Sequence, residues 1–346
     1  MGGSVMTERK LRVGIAGPGW AAGEHIKVFQ ASPHTEVVAL FGNTIERCLQ
    51  RKAEYGLNAN CYTDYEQMLT QENLDIVSIC TPNHLHAREA ILAAEAGCHL
   101  LIEKPVVTRP EDLYPVARAI DKAGVKSLVG FVLHWNPMFQ MIRSLLDRGA
   151  VGDLFAAEVD YLHGLAPGKT PGFYWYSKVE GGGSSLLAAG CHAVDGLRYF
   201  MRKEAVEVQA YSTGRDKHFE YDPTIMLQLR FADGSIGKVH SSLEVKMPYK
   251  FSVKLFGTEG TVSDNEIYAP NFFPGQKDWA AIPTVTPNSG DVTHHPYRGE
   301  VNHFIQCVVE GRDTDLDIHD AVKTHEIIFA AEESARTGKP VSLPVR

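Results

Sequence analysis

"LRVGIAGPGWAAGEH", residues 11–25, decides the fold. After Arg12 the run up to Ala16 is apolar without polar alternation, the pattern of a strand covered on both faces. It leads straight into Gly17-Pro18-Gly19-Trp20-Ala21-Ala22, a GxGxxA turn at the start of a helical stretch. In such a βα turn the first glycine permits the tight bend, and the second lets a pyrophosphate approach the backbone. The small third residue lets helix and strand pack closely. The helix N-terminus adds amide donors and partial positive charge. Gly17, Gly19, Trp20 and Ala22 are therefore candidate dinucleotide-binding residues.

Outward from this turn the chain keeps a βα rhythm. "EVVALF" (36–41), "DIVSIC" (75–80), "HLLIEK" (99–104) and "KSLVGFV" (126–132) are rich in Val, Ile and Leu, and helical spacing fills 86–97 and 110–124. That alternation predicts a parallel sheet covered on both faces. Beyond about residue 150 the period shifts to two, in 153–164, 204–214, 222–245 and 249–264, with "ADGS" and "GTEG" as tight turns. A helix over 184–201 is expected to pack on that sheet, and helices over 299–311 and 319–337 to close the chain. Residues 268–300, rich in Pro, Gly and aromatics, read as a functional loop. The expected fold class is α/β: an N-terminal Rossmann dinucleotide-binding domain over 9–132, then an α+β domain over 133–346. The second domain carries a large, mainly antiparallel open sheet for substrate binding and oligomerisation. Its C-terminal helix is a candidate to pack back on the first domain.

The bulk numbers exclude several classes. The chain has 346 residues, 44% hydrophobic and 22% charged, with a formal charge of -8. That charge argues against a nucleic-acid platform and lends nothing to membrane binding. No apolar run approaches the ~18 residues of a membrane span, and "MGGSVMTERK" lacks the apolar core of a signal peptide. Cys48, Cys61, Cys80, Cys98, Cys191 and Cys307 are scattered with no CxxC, which points away from a disulfide framework or structural zinc and towards a cytoplasmic setting. His163, His192, His294 and His295 lack the HxxxH or HExxH spacing of a helical metal site, so no metal is expected.

The acid that holds an adenosine 2′-hydroxyl in many dinucleotide folds is absent. The second strand runs instead into Gly42, Asn43 and Thr44, with Arg47 a turn later. NAD or NADP is the expected cofactor, with a slight lean to NADP because no carboxylate repels a 2′-phosphate. After the "DIVSIC" strand, Thr81, Pro82, Asn83 and His86 lie at the edge where open α/β sheets bind ligands. "LLIEKPV" brings Glu103 and Lys104 to the same edge, where a lysine can donate to, or take a proton from, an alcohol oxygen.

These pieces resemble the Gfo/Idh/MocA oxidoreductases, the family of glucose–fructose oxidoreductase and inositol dehydrogenase. The likeness spans nearly the whole chain. It rests on GxGxxA followed by His25, "TPNHLHAREAILAAEAGCHLLIEKP", "HWNP" at 134–137, "GAVGDL" at 149–154 and "GGG…GCHAVD" at 181–195. The resemblance implies that Lys104 and His192 are the catalytic groups beside the nicotinamide. It implies that Gly181–Gly183 let the 184–201 helix begin close to the cofactor, and that the C-terminal sheet forms a homodimer or homotetramer interface. Many relatives carry an aspartate one turn before the histidine; Ala188 stands there, and Asp195 is a candidate either to compensate in part or to serve the structure alone. His134 stands where relatives often have arginine and joins the cofactor-side candidates. Tyr161, His163, Trp175, Tyr176, Lys178, Cys191, Asp195, His295, Tyr297 and Arg298 are candidates for the substrate wall, with the 291–298 loop.

The function so implied is hydride transfer between NAD(P) and a secondary hydroxyl or keto group of a sugar, glycoside or cyclitol, acting on a small molecule with no nucleic-acid or membrane partner. Two alternatives stand beside it. One is redox-neutral glycoside cleavage by transient oxidation and elimination. The other is a cofactor-binding sensor or regulatory subunit without turnover.

Overall fold

The computed structural model describes residues 9–284 and 295–344. They gather into two compact units: 9–107 with 111–130 and 297–320, and 108–110 with 131–284, 295–296 and 321–344. After the long loop, therefore, the chain returns to the first unit for residues 297–320.

The first unit alternates β1 (Leu11–Ala16), α1 (Trp20–Ala31), β2 (Thr35–Phe41), α2 (Ile45–Tyr55), β3 (Asn60–Tyr62), α3 (Tyr65–Gln71), β4 (Ile76–Ile79), α4 (His86–Glu95), β5 (His99–Ile102), α5 (Pro110–Ala123) and β6 (Ser127–Val129). All strand pairs are parallel, in the order β3-β2-β1-β4-β5-β6. The order reverses between β1 and β4, which opens a crevice at the strands' carboxyl ends. Val13, Ile15, Ile76, Val77, Ile79, Leu100 and Ile102 are buried in this sheet, each contributing about 1.5–3 kcal/mol. Helix starts follow local chemistry. Thr44 accepts from the Arg47 amide at 3.4 Å to cap α2, and Asp64 accepts from the Gln67 amide at 3.0 Å to cap α3.

The second unit holds α6 (Pro137–Asp147), β7 (Leu154–Leu162), α7 (Phe173–Tyr176), α8 (Val179–Gly182), α9 (Cys191–Met201), β8 (Ala205–Thr213), β9 (Thr224–Phe231), β10 (Ile236–Ser242), β11 (Lys250–Gly257), β12 (Thr261–Ser263), β13 (Glu266–Tyr268) and β14 (Ala280–Ala281). Helix α10 (Tyr297–Glu310) belongs to the first unit, and α11 (Ile318–Thr337) leads to β15 (Val341–Ser342) in the second. The sheet order is β14-β13-β12-β11-β7-β10-β9-β8-β15. Its pairs are antiparallel except β7 with β10, which run parallel. Helix α9 packs on β7 and β10.

Two expectations about 181–201 change. The segment is not one α-helix: a π-helical turn, Leu186–Gly190, precedes α9. Such a turn shifts the i,i+4 stacking, so Ala188 and His192 do not keep simple helical register. Gly181 and Gly182 also serve a different purpose. A Cβ on Gly181 would lie 2.3 Å from the Trp175 carbonyl oxygen, and one on Gly182 would lie 2.0 Å from that of Tyr176. The space they leave is filled by the chain's own α7 backbone.

Among the described residues no helix is long and apolar enough to cross a membrane. Nor, among them, do three or more His, Cys, Asp or Glu side chains gather to hold a metal ion. Residues 291–294, with His294, lie outside the described residues.

Candidate active site

In the first unit, three connections leave the carboxyl edge of the sheet around the crevice: the turn after β1, residues 80–85 after β4, and residues 103–109 after β5. Gly17 has φ +89, and a Cβ there would lie 2.5 Å from the Cys80 carbonyl oxygen, so only glycine fits. Gly19 caps α1 with no side-chain partner, leaving first-turn amides available to an anion. Ala22 is fully buried, the close helix–strand contact that its size permits. Trp20 is exposed, with its ring edge-on to Tyr297 at 5.6 Å. A dinucleotide fits this turn, because the glycine geometry and the unfilled helix start are both in place.

The turn has a brace that sequence reasoning missed. Arg51 of α2 donates from Nη2 to the carbonyl oxygens of Pro18 and Gly19, both at 3.1 Å, and pairs with Glu54 at 2.8 Å. No sequence motif marks it, since the contact spans 32 residues. At the end of β2, Arg47 Nη1 donates to Asn43 Oδ1 at 3.3 Å.

After β4, Thr81 donates to Glu89 Oε2 at 2.5 Å, and burial pushes the Glu89 carboxyl up to about 7 against the pull of Thr81. Asn83 is buried. His86 is buried with Nδ1 at 2.7 Å from the Pro105 carbonyl oxygen and Nε2 at 2.8 Å from that of Thr81. Burial lowers its pKa against these two acceptors. The ring is committed to joining the two loops, so its influence on a ligand runs through Thr81 and the Lys104–Pro105 turn. Glu103 lies below its ordinary pKa: burial opposes ionisation, but His25 and Lys104 outweigh it. Tyr297 and Arg298 begin α10 in the first unit; Tyr297 is buried against Trp20 and His25, whereas Arg298 is exposed.

In the second unit His192 lies in an aromatic cluster. Tyr161 stacks on it at 6.1 Å with a 20° interplanar angle, Phe131 meets it edge-on at 6.2 Å, and His295 at 5.9 Å. His163 Nδ1 is 3.4 Å from the Tyr161 hydroxyl. The structure adds Tyr249, edge-on to Tyr161 at 5.4 Å and to His163 at 5.1 Å. It is buried, and its hydroxyl has no hydrogen-bond partner among the described residues. Burial raises the pKa values of both tyrosines, so both stay protonated donors. Asp195 Oδ2 pairs with His134 Nε2 at 2.7 Å. The Cys191 thiol is buried and turns back on the Leu187 and Ala189 carbonyls. Trp175, Tyr176 and Lys178 form another group: the two rings stack at 3.7 Å, and Lys178 pairs with Glu220 at 2.7 Å.

The sequence model described as "Oxidoreductase family, NAD-binding Rossmann fold" matches residues 11–131, and that of the GFO/IDH/MocA C-terminal domain matches 139–263. The chain is 24% identical over 346 residues to a scyllo-inositol 2-dehydrogenase (NAD(+)) of Bacillus subtilis, covering 98% of each. It is 27% identical over 324 residues to a D-xylose 1-dehydrogenase (NADP(+)) of Haloferax volcanii, covering 92% of this chain and 95% of the relative. A levoglucosan dehydrogenase solved with NADH and levoglucosan superposes with a TM-score of 0.86 at 21% identity, over 97% of this chain and 100% of the other. From the glycine turn through the antiparallel sheet, this chain belongs to the GFO/IDH/MocA oxidoreductase family.

Proposed function

We propose that this chain is an NAD(P)-dependent oxidoreductase acting between the cofactor and a secondary hydroxyl or keto carbon of a sugar, glycoside or cyclitol. The observation that carries the reading is one sheet edge: the Gly17 turn and the Lys104 turn leave the same parallel sheet at its carboxyl ends, around its switch point. The names of the relatives, which act on an inositol and a pentose, support the substrate class.

In this reading the domain over 9–132 binds the cofactor and that over 133–346 the substrate. Gly17, Gly19 and the α1 amides hold the pyrophosphate. Asn43, Thr44 and Arg47 meet the adenosine ribose, and the lack of a carboxylate there favours NADP over NAD. Thr81, Pro82, Asn83, Glu103 and Lys104 line the nicotinamide side, with His86 bracing their loops. When bound, the nicotinamide supplies the hydride acceptor or donor. Lys104 and His192 handle the hydroxyl proton. Tyr161, His163, Tyr249 and His295 give hydrogen-bonding heads on apolar bodies, which suit a polyol.

The second sheet supports a homodimer or homotetramer. Tyr211 of β8 lies opposite Met226 of β9, both exposed, and Ile236 of β10 is exposed as well. The six free cysteines suit a cytoplasmic setting. Native mass spectrometry of the freshly purified protein tests cofactor and assembly together. A retained NADP or NAD in a dimer or tetramer is expected; a protein that takes up neither nucleotide when both are added contradicts the reading.

A further inference from the structure

One residue before Lys104, in the first unit, lies a cluster of ionisable groups to which the proposed reaction assigns no proton transfer. His25 of α1 is fully buried. Its Nδ1 is 2.8 Å from Ser78 Oγ and 3.5 Å from Cys80 Sγ at the end of β4, and its Nε2 is 3.4 Å from Glu103 Oε1. Tyr297 of α10 covers the imidazole edge-on at 5.3 Å. Gly130 leaves the Glu103 carboxylate its room, since a Cβ there would lie 3.2 Å from Oε2. Glu300, one turn along α10, is 0% exposed, and neither carboxyl oxygen has a hydrogen-bond partner among the described residues.

Electrostatics fixes how many protons such a cluster holds. An ionised carboxylate removed from water without donors is so costly that the group takes a proton instead. Glu300 is in that position. The N-terminal turn of α10 offers it partial positive charge, yet no amide is within hydrogen-bonding reach. Glu103 by contrast has an imidazole beside it, and one imidazolium balances one carboxylate. The other charged or titratable groups acting on Glu103 are Lys104 of its own turn and His86 of α4.

We propose that Glu300 is held as a neutral carboxylic acid beside a buried His25–Glu103 ion pair, and that this net-neutral cluster is a positioning device for Lys104. Lys104 and Glu103 act on each other's charge; with the Glu103 charge balanced by His25, that carboxylate's pull on the ammonium of the next residue is weakened, which eases release of its proton. The directions of titration agree. Burial alone would lower His25, but Cys80 and Glu103 raise it well above its ordinary value. Burial, then the Glu103 charge, raises Glu300 well above the usual carboxylate range. The consequence for Lys104 rests on the dehydrogenase reading; the proton on Glu300 does not.

Two measurements on the full chain, neither needing a substrate, test this. Infrared difference spectra of wild type minus Glu300→Gln at pH 7 in D2O are expected to show a protonated-carboxyl stretch that the variant lacks; its absence overturns the proposal. If the variant does not fold, carbon-13 NMR of glutamate-labelled Glu89→Gln/Glu332→Gln protein decides, because burial also pushes those two carboxyls up to about 7. One glutamate keeping its protonated shift at pH 7 supports the proposal, and complete ionisation overturns it. In the second measurement the Lys104 midpoint is read from dimethylated lysines and assigned with Lys104→Arg. It is expected to rise by about one unit in His25→Gln, because Lys104 then takes over as the counter-charge that keeps Glu103 ionised; an unchanged midpoint overturns the positioning role. Because cofactor and sugar are absent from both measurements, their failure is separable from failure of the dehydrogenase reading.

Discussion

His134 Nε2 and Asp195 Oδ2 meet at 2.7 Å, joining the turn before α6 to the middle of α9. Asp195 is buried, and His134 also packs on Tyr199 with ring centroids 4.2 Å apart. The carboxylate one turn after His192 thus holds a second imidazole in place. Asp195→Ala leaves a part-buried ring nitrogen without its acceptor and should cost about 1–3 kcal/mol. Asp195→Asn, which keeps an acceptor oxygen, should cost less. Urea unfolding of both variants checks the order; equal midpoints to wild type would mean that the pair contributes nothing.

Glu89 gives a pH-dependent prediction. Its folded pKa is pushed up to about 7 from an ordinary 4.5, mainly by burial. Between these values the folded state binds more protons than the unfolded state, so this group's contribution falls as pH rises through that window. Glu89→Gln should therefore be more stable than wild type by about 2–3 kcal/mol at pH 8 and nearly matched at pH 4. Denaturation midpoints at the two pH values decide, and an equal difference at both would refute the assignment.

Gly17→Ala tests the turn. The substitution must place a methyl group against the Cys80 carbonyl at a φ of +89. We expect a stability loss of about 1–3 kcal/mol and NADPH binding weakened at least ~10-fold. Fluorescence titration reads the second effect. Unaltered affinity would show that the nucleotide does not use this turn.

Arg47 tests cofactor choice. It is exposed and held near Asn43 at 3.3 Å. Arg47→Ala should weaken NADPH about 10-fold, the loss of one charge-assisted contact, while NADH binding stays within about 2-fold. Equal losses for both nucleotides would remove the 2′-phosphate role.

How far these features were legible depends on whether their causes are local. The β1 turn was legible because an apolar run and a glycine spacing stand side by side. The antiparallel sheet was legible through its period of two and its glycine turns. Strand β3, three residues from Asn60, has no room for a period. The π-helical turn hid inside "LLAAG", where every residue is small or apolar and buried, so no face is marked. Glu300 carries no mark in the sequence, because the charges that act on it, those of Glu103 and His25, lie far off along the chain. The His134–Asp195 pair spans 61 residues and left no trace in spacing.

The central claim is tested most directly by mixing the protein with NAD and NADP and a panel of aldoses, glycosides and inositols, and following formation of reduced nicotinamide. Wild type should reduce one of the two cofactors with at least one polyol. Lys104→Met should bind that cofactor normally yet turn over at least ~100-fold more slowly. Lack of reduction with every polyol despite bound cofactor, or a Lys104→Met rate equal to wild type, would contradict the account.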